Sequence, residues 1–152
     1  MTLRQVLRKP SIGFKKTINY QKRSFTISNI RLGIIGAGYI AQKHLKVIQA
    51  MDGVCAAGIT SRTISKAEGL AKIFCIDNIY ENIDNLIENC SLDGLMILVS
   101  ANQMFDITKK MIPAQIPLFI EKPPGLIPDQ TKTLVELSHK YDTKNMVGYN
   151  RR

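Results

Sequence analysis

From Ile30 onward, apolar residues recur in two alternating rhythms, and these rhythms predict the elements. Ile30 to Ile35 is a short apolar run of strand length, and Tyr39 to Ala50 follows at helical spacing, with Ile40, His44, Val47 and Ile48 on one face. Val54 to Thr60 reads as a second strand. A helix from about Ser65 to Phe74 comes next, burying Leu70, Ile73 and Phe74, and then a short strand at Ile79 and Tyr80. Asn82 can cap a third helix, Ile83 to Asn89, which turns Ile83, Leu86 and Ile87 inward. Gly94 to Val99 is continuously apolar, as a strand covered on both faces would be. A fourth helix, Met104 to Met111, stops before Pro113. Pro117 to Ile120 makes a fifth strand, Asp129 to Tyr141 a fifth helix with Leu134, Leu137 and Tyr141 on one stripe, and Met146 to Tyr149 a sixth strand.

Strands alternating with helices through short connections imply an α/β fold with a parallel sheet and right-handed crossovers. Six strands in this rhythm fit the doubly wound (Rossmann) sheet of order 3-2-1-4-5-6, whose ligand lies beyond the carboxyl ends of the strands at the switch point between strands one and four. The residues that such a sheet would place there are Gly36 to Ile40, Ser61 to Thr63, Ser100 to Asn102 and Glu121 to Pro123.

The first of these segments carries its own chemistry. Gly36, Gly38 and Ala41 form G-x-G-x-x-A between a strand and a helix, the context that a dinucleotide-binding turn requires. Gly36 permits the tight turn, Gly38 keeps a Cβ out of the path of a pyrophosphate, and Ala41 lets the helix lie close on the sheet. Ala37, Tyr39 and Ile40 belong to the same turn, where the helix offers free N–H groups and its positive dipole end to phosphate.

Charge alters this picture little. The 152 residues carry a formal net charge of +9, which on its own suggests a nucleic-acid binder. Residues 1–31, however, hold eight basic residues and no acid, while the remainder holds 13 bases against 12 acids. The folded part is therefore close to neutral, and a nucleic-acid face is not indicated. Residues 1–29 read as a basic, disordered leader or as a start site placed too far upstream. An organelle transit peptide is the less favoured reading of the same composition. Residues 30–152 form the folded domain. Cys55, Cys75 and Cys90 are odd in number and lack CxxC spacing, so they read as reduced, buried or half-buried thiols of a cytoplasmic protein, with no metal site. No apolar run approaches the ~20 residues of a membrane span.

With the glycine motif, the tripeptide Glu121-Lys122-Pro123 and the terminal Val147-Gly148-Tyr149-Asn150-Arg151-Arg152 in view, residues 30–152 resemble the N-terminal half of the glucose-fructose oxidoreductase and inositol dehydrogenase (Gfo/Idh/MocA) family. The resemblance implies an NAD(P)-dependent oxidoreductase acting by hydride transfer on a sugar, cyclitol or nucleotide sugar. It makes Lys122 the catalytic lysine beside the nicotinamide, Glu121 a contact of the nicotinamide ribose and Pro123 the residue that fixes the turn, with Ser100, Asn102 and Arg152 also on the cofactor side. An ammonium beside a developing alkoxide would stabilise its charge. Two departures stand out. Family members commonly carry Thr-Pro-Asn after the fourth strand with a histidine a few residues on, where this chain has Ser100-Ala101-Asn102 and then Phe105. Members also continue into a substrate domain that this chain lacks, so the sequence reads as a fragment, a truncated reading frame or a stand-alone cofactor domain. His44 and His139 read as packed or solvated helix residues and do not replace the missing catalytic group.

No acid stands about 20 residues past the glycines to bind the adenosine ribose hydroxyls of NAD. Ser61-Arg62-Thr63 instead offers two hydroxyls and a guanidinium, with Lys66 a turn later, a set suited to a 2′-phosphate. NADP is thus expected first and NAD second, with Arg62 stacked on the adenine in the latter case. A nucleotide-binding module without catalysis, or an inert remnant, is the competing reading. A sheet margin left uncovered near the last strand would also favour self-association.

Overall fold

The computed structural model describes residues 29–149. The strands are β1 (Ile30–Ile35), β2 (Val54–Thr60), β3 (Ile79–Tyr80), β4 (Gly94–Ile97), β5 (Leu118–Ile120) and β6 (Asn145–Val147). The helices between them are α1 (Tyr39–Gln49), α2 (Ile64–Phe74), α3 (Ile83–Asn89), α4 (Ala101–Met111) and α5 (Pro128–Tyr141). All strands are parallel and lie in the order β3-β2-β1-β4-β5-β6, the doubly wound sheet that the alternation predicts. Except for Asn29, the basic leader lies outside the described residues.

Reversing the winding direction after β3 puts helices on both faces, and each face has its own core. On one face Ala41, Leu45 and Ile48 of α1 and Ala67, Leu70 and Ala71 of α2 pack against Ile34, Ile59, Met96 and Leu98. On the other, Leu86, Met104, Met111 and Leu134 from α3, α4 and α5 cover Ile35, Ala57, Leu95, Ile97, Leu118 and Ile120. Burial of β4 on both faces explains its uninterrupted apolar run.

Two helical stripes differ from the expectation. Val47 and Ile73 are each 58% exposed, because both buried stripes are centred on an alanine, Ala41 in α1 and Ala67 in α2. Each exposed residue lies six positions on, about 120° round the helix. Alanine lets the helix axis approach the sheet closely, and a larger side chain at the centre would hold it off. His44 sits at the border of the α1 stripe, half-buried.

Some boundaries also move. α4 begins at Ala101, three residues ahead of the apolar period, because its first turn stands clear of the sheet and is polar. β4 ends at Ile97, where its neighbours turn away at Gly36 and Glu121, although the Leu98 N–H still donates to Ile35 O at 2.8 Å. β6 is Asn145–Val147 and, among the described residues, pairs only with β5. Of the three thiols, Cys90 is buried and Cys55 half-buried as expected, but Cys75 is exposed. It caps the end of α2 in a left-handed conformation that turns it off the helix.

Candidate functional site

Four of the predicted segments stand together at the carboxyl ends of adjacent strands. At the centre is the β1–α1 turn. Gly36 has φ +112, and a Cβ there would collide with the backbone of Leu98 beyond β4. Only glycine is comfortable in that conformation and that space. The Gly36 N–H donates to Thr60 O at 2.8 Å, tying the turn to the end of β2.

Gly38 answers a different need. Its φ of −88 suits any residue, and a Cβ added to it would meet nothing within 4 Å. The space that the missing side chain leaves is open, as close approach of a phosphate to the backbone requires. Gly38 is the N-cap of α1, no side chain caps the helix, and no acid occupies its first turn. The first-turn N–H groups therefore lack intrahelical acceptors and keep their positive end for an anion. Tyr39, 74% exposed, lies under the ammonium of Lys43 at 5.0 Å, Ile40 is exposed, and Ala37 is half-buried beneath the turn. Ala41 is fully buried against the sheet, in keeping with its role in the motif.

Beside this turn, the end of β2 supplies Ser61, Arg62 and Thr63. The Thr63 N–H reaches Ser61 Oγ at 3.4 Å, and the Arg62 side chain is exposed. After β4, Ser100 caps α4, and its hydroxyl donates to Asn102 Oδ1 at 2.6 Å. These two side chains thus engage each other across the first helical turn.

The β5 tip carries Glu121-Lys122-Pro123, with the Lys122–Pro123 peptide cis. The Glu121 N–H donates to Ile97 O at 3.1 Å, which seats the tip next to the end of β4. Its carboxylate meets the imidazole of His44, Nε2 to Oε1 at 2.8 Å, and accepts the Lys122 backbone N–H at 3.2 Å. Among the described residues no ion pair joins the Lys122 ammonium to a carboxylate, so pairing with its neighbour is not what the lysine does. Lys122 is exposed at the tip and Pro123 half-buried. Arg152 lies outside the described residues.

His44 is the residue that the sequence undervalued. Periodicity placed it on a packed helix face, which is correct, but its partner is 77 residues away and no local pattern points there. Its ring also meets Phe119 edge-on, with centroids 5.1 Å apart.

The model of the oxidoreductase family with an NAD-binding Rossmann fold, GFO_IDH_MocA, matches residues 30–149. The chain belongs to this family. Among Gfo/Idh/MocA relatives, the rhizopine catabolism protein MocA of Rhizobium meliloti is 25% identical over 83% of the chain and 39% of its own length. The myo-inositol 2-dehydrogenase of Thermotoga maritima is 24% identical over 81% of the chain and 37% of its own. The chain thus spans under two-fifths of the length of these relatives. The fold is shared with a crystal structure of a 3-ketoreductase from Actinomadura kijaniata in complex with NADP and TDP-benzene, at TM-score 0.72 and 21% identity over 79% of this chain and 37% of that one. Among the described residues no helix is long and apolar enough to cross a membrane, and no cluster of three or more His, Cys, Asp or Glu could hold a metal ion.

Proposed function

We propose that this chain is the cofactor-binding half of an NAD(P)-dependent oxidoreductase acting on a sugar, cyclitol or nucleotide sugar, with NADP ahead of NAD. The observation that carries the reading is the uncapped, side-chain-free start of α1 at Gly38, on the same edge of the sheet as the exposed Lys122. A dinucleotide is a diphosphate with a reactive ring at one end, and this edge offers an anion site and a cation on neighbouring strand ends.

In this reading the N–H groups of Gly38, Tyr39 and Ile40 hold the diphosphate, with Ala37 and Gly36 shaping the turn. Ser61, Arg62 and Thr63 take the adenosine end. The guanidinium of Arg62 reaches a 2′-phosphate through charge-assisted hydrogen bonds, and no acidic side chain stands at this strand end to favour bare ribose hydroxyls. Glu121 accepts from the nicotinamide ribose, and Ser100 and Asn102 line the same end. Arg152 completes the set from beyond the described residues. When bound, the nicotinamide exchanges a hydride with a substrate carbon. Lys122 orients the reacting hydroxyl and stabilises the charge that builds on its oxygen.

The inositol dehydrogenase and ketoreductase among the relatives support a polyhydroxylated small molecule as the other partner. A second reading, nucleotide binding without turnover, is supported by the engagement of His44 with Glu121 and by the position of His139 in the last turn of α5, beside Asn145 at the start of β6 and so at the opposite edge of the sheet from the β5 tip. Titration of the purified chain with NADPH and NADH, followed by cofactor fluorescence, tests both. Binding by neither removes both readings, and binding without turnover on a panel of sugars and cyclitols leaves the second.

A further inference from the structure

The bridge between His44 and Glu121 joins two parts of the site that the backbone does not connect directly. α1 carries the phosphate turn at its start and His44 less than two turns further along, and Glu121 begins the tip that carries Lys122. We propose that His44 is a positioning residue, which holds the Glu121 carboxylate and the Lys122 backbone at a set distance from the phosphate turn so that the nicotinamide ribose can be received. This rests on the placement of the nicotinamide at the β5 tip argued above.

The physical case begins with burial. The Glu121 side chain is only 12% exposed and that of His44 24% exposed. A carboxylate so enclosed requires hydrogen-bond partners, and both of its oxygens have one: His44 Nε2 on Oε1 and the Lys122 N–H on Oε2. A carboxylate only accepts, so Nε2 carries the hydrogen. The imidazole is itself held, with Phe119 edge-on to its ring at an interplanar angle of 66°. Gly148, after β6, closes the cluster. A Cβ there would lie 2.8 Å from Phe119 Cζ and 3.4 Å from Glu121 Oε1. The carboxylate is thereby fixed with one oxygen committed to α1 and the other to its own tip, and each oxygen retains a further lone pair for a ribose hydroxyl.

A bridge that merely fastened α1 to the sheet would serve the whole cofactor equally, since α1 also presents the phosphate turn. A positioning bridge serves only the nicotinamide end. The test compares each reduced cofactor with the counterpart that lacks both the nicotinamide and its ribose, ADP for NADH and 2′-phospho-ADP for NADPH, by calorimetric titration of the full chain. His44→Ala should weaken the dinucleotide roughly tenfold while changing the fragment by less than about twofold. His44→Gln, which can place an amide N–H near the position of Nε2, should recover most of the loss. Equal losses for cofactor and fragment, or no loss for either, would overturn the inference. Glu121→Ala separates it from the reading beneath it. If that change spares the cofactor-to-fragment ratio, the nicotinamide is not at this tip. If it lowers the ratio while His44→Ala does not, the ribose contact stands and only the role of His44 falls.

Discussion

The backbone carbonyl of Leu98 fills the space that a side chain on Gly36 would need, whereas the same space at Gly38 is open. Packing within the protein thus demands a glycine at Gly36, whereas at Gly38 the demand comes only from the phosphate that the proposed function places there. Gly36→Ala would place a Cβ against backbone at φ +112, so it should cost at least about 2 kcal/mol of stability. A lowered urea midpoint with an unchanged slope is the expected result, and a midpoint equal to that of the parent chain would contradict the close packing of this turn.

Gly38→Val should do the reverse. Its φ of −88 is ordinary for a branched residue and no atom lies within 4 Å of the added Cβ, so the unfolding free energy from a urea titration should stay within about 0.5 kcal/mol of the parent. Binding of NADH and NADPH should be lost, because the valine methyl groups stand where the diphosphate approaches the backbone. Unchanged affinity would show that this turn holds no phosphate.

On the proposed assignment, Arg62 is the residue that would distinguish the two cofactors. Removing an exposed guanidinium that pairs with a 2′-phosphate should weaken NADPH roughly tenfold in the Arg62→Ala chain and NADH by much less. Similar losses for both would assign Arg62 to the adenine face and favour NAD.

The margin at β6 carries a fourth prediction. Met146 and Tyr149 are 61% and 60% exposed, and Val135 on α5 is 51% exposed, beside a strand that pairs on one side only among the described residues. Exposed apolar side chains on an open strand edge promote pairing between chains. Sedimentation velocity should show association that grows with concentration, and Met146→Lys should reduce it. A sedimentation coefficient that does not vary with concentration would refute the association.

Much of this protein is legible in its sequence. Residue order alone specified the six strands, the order of the sheet and the turn at Gly36 and Gly38, because strand and helix periods and the left-handed tolerance of glycine are local properties of the chain. Topology then brought the strand-end residues together without need of a contact map, since a doubly wound sheet has one switch point. Local pattern failed where the decision belonged to packing. Val47 and Ile73 read as buried from their size, yet the sheet accepts Ala41 and Ala67 at the centre of the stripe because only a methyl group lets each helix come so near. Only the tertiary structure could decide the role of His44. Whether an imidazole on a packed helix face is inert or holds a carboxylate depends on which side chain arrives opposite it, and Glu121 arrives from a strand 77 residues further along the chain.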